Sequence, residues 1–179
     1  MRLVLLFFFM LETKFASAKP MDSQPLVRAR LGWELENREQ SDGDSKGFVN
    51  WSASGEYPFL EFLSGVGSLQ YAPDTHSDTT EFSIYQNHLK FGVGLQAHYS
   101  FWLRWFFENQ VVLIEEQIKY QSSLSSESVS SEFLGLQARV GFDYLLARNI
   151  EIRLSYGLQS RLADQRLDSL KGLFLTYRF

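Results

Sequence analysis

The chain has 179 residues, a formal net charge of −4 and no cysteine. This length suits a single domain, the lack of cysteine excludes a disulfide scaffold, and the lack of a basic stretch argues against a nucleic-acid partner. Aromatic residues make up 16% of the chain, a fraction that requires either a large core or an apolar outer surface.

The first 18 residues are typical of a secretory signal peptide. Arg2 precedes an apolar run, Leu3 to Leu11, that is about half as long as the ~20 residues of a membrane-spanning helix. A small-x-small cleavage site, Ala16-Ser17-Ala18, follows the run. We therefore predict a signal peptide at residues 1–18 and one exported domain at residues 19–179. An exported domain without disulfides suits the bacterial envelope.

Alternation of apolar and polar residues with period two predicts eight β-strands along this domain. We place them at about residues 26–36, 49–57, 60–71, 88–101, 105–121, 134–144, 150–159 and 170–179. Trp33 and Trp51 are equidistant from Asp42, at the centre of the first loop, so we expect them to be cross-strand neighbours. Pro58 is expected to mark a tight reversal. In strand five the run Val111 to Ile114 is continuously apolar, which predicts a bulge or a protruding end.

The connections alternate between long polar loops and short turns. The long loops are predicted at Asn37–Gly47, Pro73–Glu81, Ser122–Glu132 and Leu162–Asp168, and the short turns near residues 58, 103 and 147. This sorting is typical of a transmembrane barrel with short periplasmic turns, whereas a Greek-key sandwich gives no reason for it. We therefore predict an all-β fold, an eight-stranded antiparallel up-and-down transmembrane β-barrel. A soluble periplasmic β-sandwich is the alternative.

Aromatic residues gather near the short turns. We expect an interfacial girdle there, formed by Tyr57, Trp102, Trp105 and Tyr144. The stretch from Leu170 to Phe179 alternates up to its last residue, and we expect this strand to close the barrel.

The signal segment, the eight alternating strands and the final Leu-Phe-Leu-Thr-Tyr-Arg-Phe resemble the small outer membrane β-barrel superfamily. That superfamily includes the transmembrane domain of outer membrane protein A and outer membrane protein X. The resemblance covers the whole mature chain and rests on pattern and ending. It implies location in the outer membrane of a Gram-negative bacterium. It also implies that Leu175, Tyr177 and Phe179 form a signal for the barrel assembly machinery.

The interior of an eight-stranded barrel is just wide enough for side chains to fill it, so inward charges must neutralise one another. Asp143 and Glu151 are equidistant from the turn near residue 147 and are expected side by side, with arginines as counter-ions. The expected network consists of Arg28, Arg139, Asp143, Glu151, Arg153 and Arg178. A gate in a narrow water path is one interpretation, and a purely structural ion-pair network is the one we favour.

His98 and Ser100 share the inward face of strand four, and with Glu108 they offer a base, a nucleophile and an orienting carboxylate. The pair resembles the His-x-Ser of outer membrane deacylases that act on lipid A. Phe101 stands where those enzymes have Asn, and the motif lies mid-chain instead of near the end. Because of the His-x-Ser resemblance, a lipid A-modifying hydrolase is the alternative function. His88 is too far from His98 along the strand to share a metal, and no metal or cofactor is predicted.

These patterns predict a non-enzymatic, monomeric outer membrane barrel. We expect a membrane anchor or surface protein that lies among outer membrane lipid and lipopolysaccharide, with loops that contact an external partner.

Overall fold

The computed structural model describes residues 27–39, 45–78, 83–100, 103–122, 125–163 and 167–179. In these ranges lie the strands β1 (Arg28–Glu39), β2 (Ser45–Leu60), β3 (Leu63–Asp78), β4 (Ser83–Ser100), β5 (Arg104–Gln121), β6 (Ser126–Ala147), β7 (Ile150–Arg161) and β8 (Leu167–Arg178). Each strand pairs antiparallel with the next, and β8 pairs with β1, so the sheet closes into a barrel. The predicted barrel is confirmed, and the sandwich alternative is wrong. The predicted signal peptide and Trp102 lie outside the described residues.

The two faces of the wall meet different surroundings, as alternation in a strand requires. On β5 the even-numbered residues from Phe106 to Glu116 are buried, and the odd-numbered ones from Trp105 to Glu115 are exposed, apart from the half-buried Phe107. Most exposed side chains of the wall are large and apolar; Leu31 and Val93, for example, are 66% and 69% exposed. So much outward apolar surface fits lipid hydrocarbon and not water. No helix long and apolar enough to cross a membrane occurs among the described residues.

One end of the barrel, here named the turn end, carries the short turns at residues 61–62 and 148–149. The first and last described residues meet there, since the backbone N–H of Phe179 donates to the carbonyl of Val27 at 3.0 Å. The opposite end, here named the projecting end, carries the extensions of the longest strands. In outer membrane barrels the short turns face the periplasm.

The strands differ in length, and the difference builds the projecting end. β1, β7 and β8 have 12 residues each, whereas β4 and β5 have 18 and β6 has 22. β6 pairs with β5 up to Ser126, but its pairing with β7 stops at Gly135. Residues 126–133 of β6 therefore have a strand partner on one side only among the described residues.

The predicted loops Pro73–Glu81 and Ser122–Glu132 are wrong in extent. Each is largely strand, because β3 continues to Asp78 and β6 begins at Ser126. These extensions stand above the barrel wall, and the side chains of residues 126–130 are all exposed. A strand with water on both faces needs no alternation of polarity, so the sequence carries no period-two signal there.

Two local predictions were settled by the strand register. β5 pairs without interruption with both neighbours, so it has a protruding end and no bulge. Its apolar run arises because Val112 and Ile114 are buried in the interior while Val111 and Leu113 face outward. The reversal predicted at Pro58 is displaced, because β2 continues to Leu60.

The predicted neighbours Trp33 and Trp51 are confirmed as a pair. They are directly opposite in the β1–β2 ladder, with ring centroids 6.3 Å apart in an edge-on arrangement. Both side chains are about half exposed on the outer face. The pair therefore belongs to the outward surface of the wall.

Candidate functional site

Charged and amide side chains fill the barrel in two clusters. The turn-end cluster consists of Arg28, Arg30, Glu34, Glu56, Gln96, His98, Arg104, Glu108, Arg139, Asp143, Glu151, Arg153 and Arg178. The projecting-end cluster consists of Glu36, Arg38, Asn50, Gln86, His88, Lys90, Glu116, Gln159, Arg161 and Asp168. Apolar side chains complete the filling, among them Val112, Ile114 and Leu170, which are fully buried.

Glu56 is the hub of the turn-end cluster. Its Oε2 accepts from Nη2 of Arg30 at 2.5 Å, and its Oε1 accepts from Nη1 of Arg28 at 3.1 Å. Oε1 also accepts from the hydroxyl of Ser64 at 2.8 Å and lies 2.6 Å from Nε2 of His98. Glu56 is only 1% exposed, and these contacts replace the water that its carboxylate gives up.

Asp143 and Glu151 do not lie side by side, and that prediction is wrong. The register shifts between Leu145 and Ala147, so Asp143 faces Arg153 across the β6–β7 ladder and Glu151 faces Leu145. Arg153 binds Asp143 through two hydrogen bonds, from Nε at 2.6 Å and from Nη2 at 2.8 Å. Glu151 forms its ion pair with Arg178, at the mouth of the turn end. A bulge near the turn thus separates the two carboxylates.

Arg139 and Arg28 form ion pairs with carboxylates other than those expected. Arg139 donates from Nε to Glu34 at 2.8 Å and from Nη1 to Glu108 at 2.8 Å. Arg28 donates to Glu56. Sequence reasoning did not assign these three glutamates to the network, although alternation places each of them on the inward face. Alternation could therefore have shown that these glutamates point inward. It could not have shown which arginine each of them pairs with across the barrel.

Sequence reasoning missed the projecting-end cluster, because it considered only the charges near the short turns. Glu36 accepts from Nζ of Lys90 at 2.5 Å, from Nε of Arg38 at 2.9 Å and from the amide of Asn50 at 2.8 Å. Arg38 also donates to Glu116 at 2.5 Å. Lys90 and Glu36 are completely buried, so each charge depends on its partners for stabilisation.

A small cavity remains inside the barrel, with a volume of about 10 Å³. Its wall includes Arg30, Ser52, Glu108, Arg139 and Ser155. Such a volume holds about one water molecule. At this level of the barrel, side chains therefore occupy most of the interior.

The geometry does not assemble the expected His98, Ser100 and Glu108 site. Ser100 is exposed at the end of β4, and Glu108 accepts from Arg30, Arg139 and Gln110 instead of orienting His98.

Ser64 lies beside His98, with its hydroxyl 3.3 Å from Nε2. Nδ1 of His98 accepts from Nε of Arg104 at 3.0 Å, and Nε2 lies 2.6 Å from Glu56 and 2.8 Å from the amide nitrogen of Gln96. Both ring nitrogens of His98 are therefore engaged by the ion-pair network, and the hydroxyl of Ser64 donates to Glu56 at 2.8 Å. This is an arrangement for satisfying a buried carboxylate.

The described residues contain no group of three or more His, Asp or Glu side chains that could hold a metal ion. Three predicted girdle residues, Tyr57, Trp105 and Tyr144, are exposed on the outer face near the turn end. Leu175, Tyr177 and Phe179 also face outward there, and the rings of Tyr177 and Phe179 lie 4.9 Å apart.

No protein-family model matches the chain, and no curated protein matches its sequence. Solved structures share its fold. Ail, the attachment invasion locus protein of Yersinia pestis, aligns with a TM-score of 0.68 at 15% identity, over 88% of this chain and 100% of that chain. Neisserial surface protein A aligns with a TM-score of 0.61 at 13% identity, over 88% and 98%. A major outer membrane protein from Thermus thermophilus aligns with a TM-score of 0.61 at 12% identity, over 86% and 99%. At these identities the likeness establishes the fold, that of the small eight-stranded outer membrane β-barrels.

Proposed function

We propose that this eight-stranded barrel is a non-enzymatic, monomeric protein of a Gram-negative outer membrane, which anchors a projecting sheet at the cell surface for contact with external partners. The extension of β4, β5 and β6 beyond the shorter strands carries this proposal. A barrel that served only as an anchor would need strands of about 9–11 residues to cross the bilayer. β6 has 22, and its outer part serves no part of the wall.

The projecting sheet has the features of a contact surface. Residues 126–133 of β6 leave one backbone edge without a strand partner among the described residues, and extended segments of other proteins can pair with such an edge. The exposed charged residues near it are mainly acidic: Glu115, Glu127 and Glu132, against Lys119. We therefore expect a partner that is neutral or basic.

The acidic charge of the projecting sheet predicts which class of partner it does not bind. Ail has been crystallised with the heparin analogue sucrose octasulfate, a polyanion. For this chain we expect no binding of sulfated sugars to the projecting sheet, because like charges repel. Attachment to cell-surface protein is the form of contact supported by the acidic sheet and by its edge, which has no strand partner in the described part of the chain.

The filled interior supports a structural role for the buried charges. Each carboxylate of the turn-end cluster meets an arginine, and the cavity beside Arg30 and Arg139 has room for about one water molecule. We propose that the ion pairs replace an apolar core and do not form a gate. We also propose no hydrolase activity, because Glu56, Gln96 and Arg104 engage both ring nitrogens of His98 and Ser64 donates to Glu56.

The surface location can be tested with single cysteines, since the chain has none of its own. Ser128→Cys lies on the projecting sheet, and Arg148→Cys lies in a short turn at the other end. A membrane-impermeant maleimide should label the first variant on intact cells. It should label the second only after the outer membrane is permeabilised. The opposite order would overturn the proposed orientation.

The role of the sheet can be tested by shortening it. Gln117 and Ser130 are opposite each other in the β5–β6 ladder, so residues 118–129 can be replaced by an Asn-Gly turn without changing the register below. Cells displaying the full chain should adhere to a cultured epithelial layer, and cells displaying the shortened chain should not. A mobility shift on heating would verify that the shortened barrel is folded. Equal adhesion by both forms, or none by either, would overturn the proposal.

A further inference from the structure

Lys171 is a charged residue on the lipid-facing side of the wall. It is exposed on β8, between the buried Leu170 and Gly172. Its direct neighbours in the two adjoining ladders are Leu35 and Tyr156, which also face outward. Among the described outward side chains of β7, β8 and β1 as far as residue 37, it is the one charged group. A charge on such a surface needs a partner.

The position of Lys171 along β8 places it within the hydrocarbon region. It is six residues from Tyr177 at the turn end, or roughly 20 Å along the strand. With the strand tilt of such barrels, this corresponds to about 15 Å along the barrel axis, within an apolar band about 25 Å tall. Lys171 therefore lies in the outward half of the bilayer, near enough for its flexible side chain to reach the interface.

Polar neighbours show in which direction the ammonium finds an acceptor. Two residues further toward the projecting end, Ser169 faces outward and is paired with Asn37 of β1. Both are partly exposed, and the side chain of Asn37 lies beside Gly47 at the top of β2. Toward the turn end the outward residues of β8 are Leu173 and Leu175. Ser169 and Asn37 thus form a polar track that leads from Lys171 to the outer leaflet.

The charge of this track determines the ligand class. At the top of the opposite wall the exposed charged residues are mainly acids, Glu115 and Glu132, against Lys119. The β8–β1 side instead offers one compact cation with a hydroxyl and an amide above it. A lysine ammonium in this setting is suited to a phosphate oxygen, which it contacts as a point charge.

We propose that Lys171, assisted by Ser169 and Asn37, binds a phosphate group of lipid A, the phosphorylated glycolipid of the outer leaflet. The inference rests on the proposed outer membrane location and names a lipid contact of the barrel wall. The glycolipid is the expected source of the phosphate because the track opens toward the projecting end. Phosphatidylglycerol, an anionic phospholipid, is the competing source.

The refolded full-length barrel in a zwitterionic detergent is the material for the test. Lipid A binding is measured by native mass spectrometry for the wild type, for Lys171→Met and for Lys119→Met. Lys119 is the matched control, because it is an exposed lysine on the projecting part of β5. We expect about fivefold weaker binding for K171M and no change for K119M. Dephosphorylated lipid A should bind the wild type as weakly as lipid A binds K171M.

Three results would overturn the assignment. K171M could bind lipid A as tightly as the wild type, the wild type could fail to distinguish phosphorylated from dephosphorylated lipid A, or phosphatidylglycerol could bind as tightly as lipid A. A heating mobility shift on a gel would verify that each variant is folded. Failure of this inference would leave the cysteine labelling and adhesion results unchanged, so it is distinguishable from failure of the proposed function.

Discussion

Arg153 and Asp143 face each other across the β6–β7 ladder, joined by two parallel hydrogen bonds of 2.6 and 2.8 Å. Both residues are almost fully buried, at 2% and 3% exposure. The guanidinium also stacks on Phe106, with Cζ 3.8 Å from the ring centroid. Two parallel hydrogen bonds to a carboxylate are a strong way to neutralise the charge of a buried arginine.

Replacing Asp143 by Leu should destabilise the barrel strongly, because Arg153 would keep a buried charge without its carboxylate. We expect a loss of about 3–5 kcal/mol in the free energy of unfolding. Urea titration of the barrel in lipid vesicles, followed by tryptophan fluorescence, measures it. The double variant D143L/R153M should recover part of the loss, and the exposed Glu115→Gln is the control that should change little. If D143L unfolds at the same urea concentration as the wild type, the pair does not stabilise the fold.

Gly157 faces the interior of the barrel and Gly67 faces outward, so the two glycines test where close packing excludes a side chain. A Cβ on Gly157 would lie 2.5 Å from the carbonyl oxygen of Ala138 and 2.8 Å from Cγ of Arg139. Gly157→Ala should therefore cost about 1–3 kcal/mol, since a neighbouring strand or Arg139 must move. A Cβ on Gly67 would meet nothing within 4 Å, so Gly67→Ala should be neutral or stabilising by about 0.5–1 kcal/mol. The same urea titration compares them, and an equal effect of both variants would contradict the packing argument.

The protein should show little or no steady conductance in planar bilayers. Lys90, Glu36 and Arg153 are buried with their partners in the path that ions would take, and the cavity beside Arg30 and Arg139 has a volume of only about 10 Å³. Purified wild-type barrel, reconstituted at single-channel sensitivity, provides the measurement. A large and stable conductance would mean that the clusters open, and the structural role proposed for them would be wrong.

We propose that Phe179 acts in assembly more than in stability. Its backbone N–H joins the chain to Val27 at 3.0 Å, while its ring is 67% exposed and contacts Tyr177 from the outside. Phe179→Ala keeps the backbone bond and removes a mostly exposed ring. We expect much less folded barrel in the outer membrane fraction of cells, with nearly unchanged refolding in detergent. Normal assembly of F179A in cells would contradict the signal, and Leu136→Ala, another exposed apolar residue, is the control.

Alternation in the sequence was sufficient for the part of the fold where one face of a strand meets lipid and the other meets the interior. β1, β7 and β8 were predicted to within a few residues, and Trp33 opposite Trp51 followed from the position of the first loop. Where both faces meet water, as at residues 126–130, the residues need not alternate, and the sequence read as loop what is strand.

The sequence by itself determined that charged residues point inward, because period two places Arg139, Asp143, Glu34 and Glu108 on the buried face. Only the tertiary structure decided which of them pair. Arg139 and Glu34 are 105 residues apart in the chain and meet at 2.8 Å because closure of the barrel brings β6 across from β1. Asp143 meets Arg153 and not Glu151 because the register shifts near the turn. Pairing inside a closed barrel depends on register and curvature, which no local pattern of residues carries.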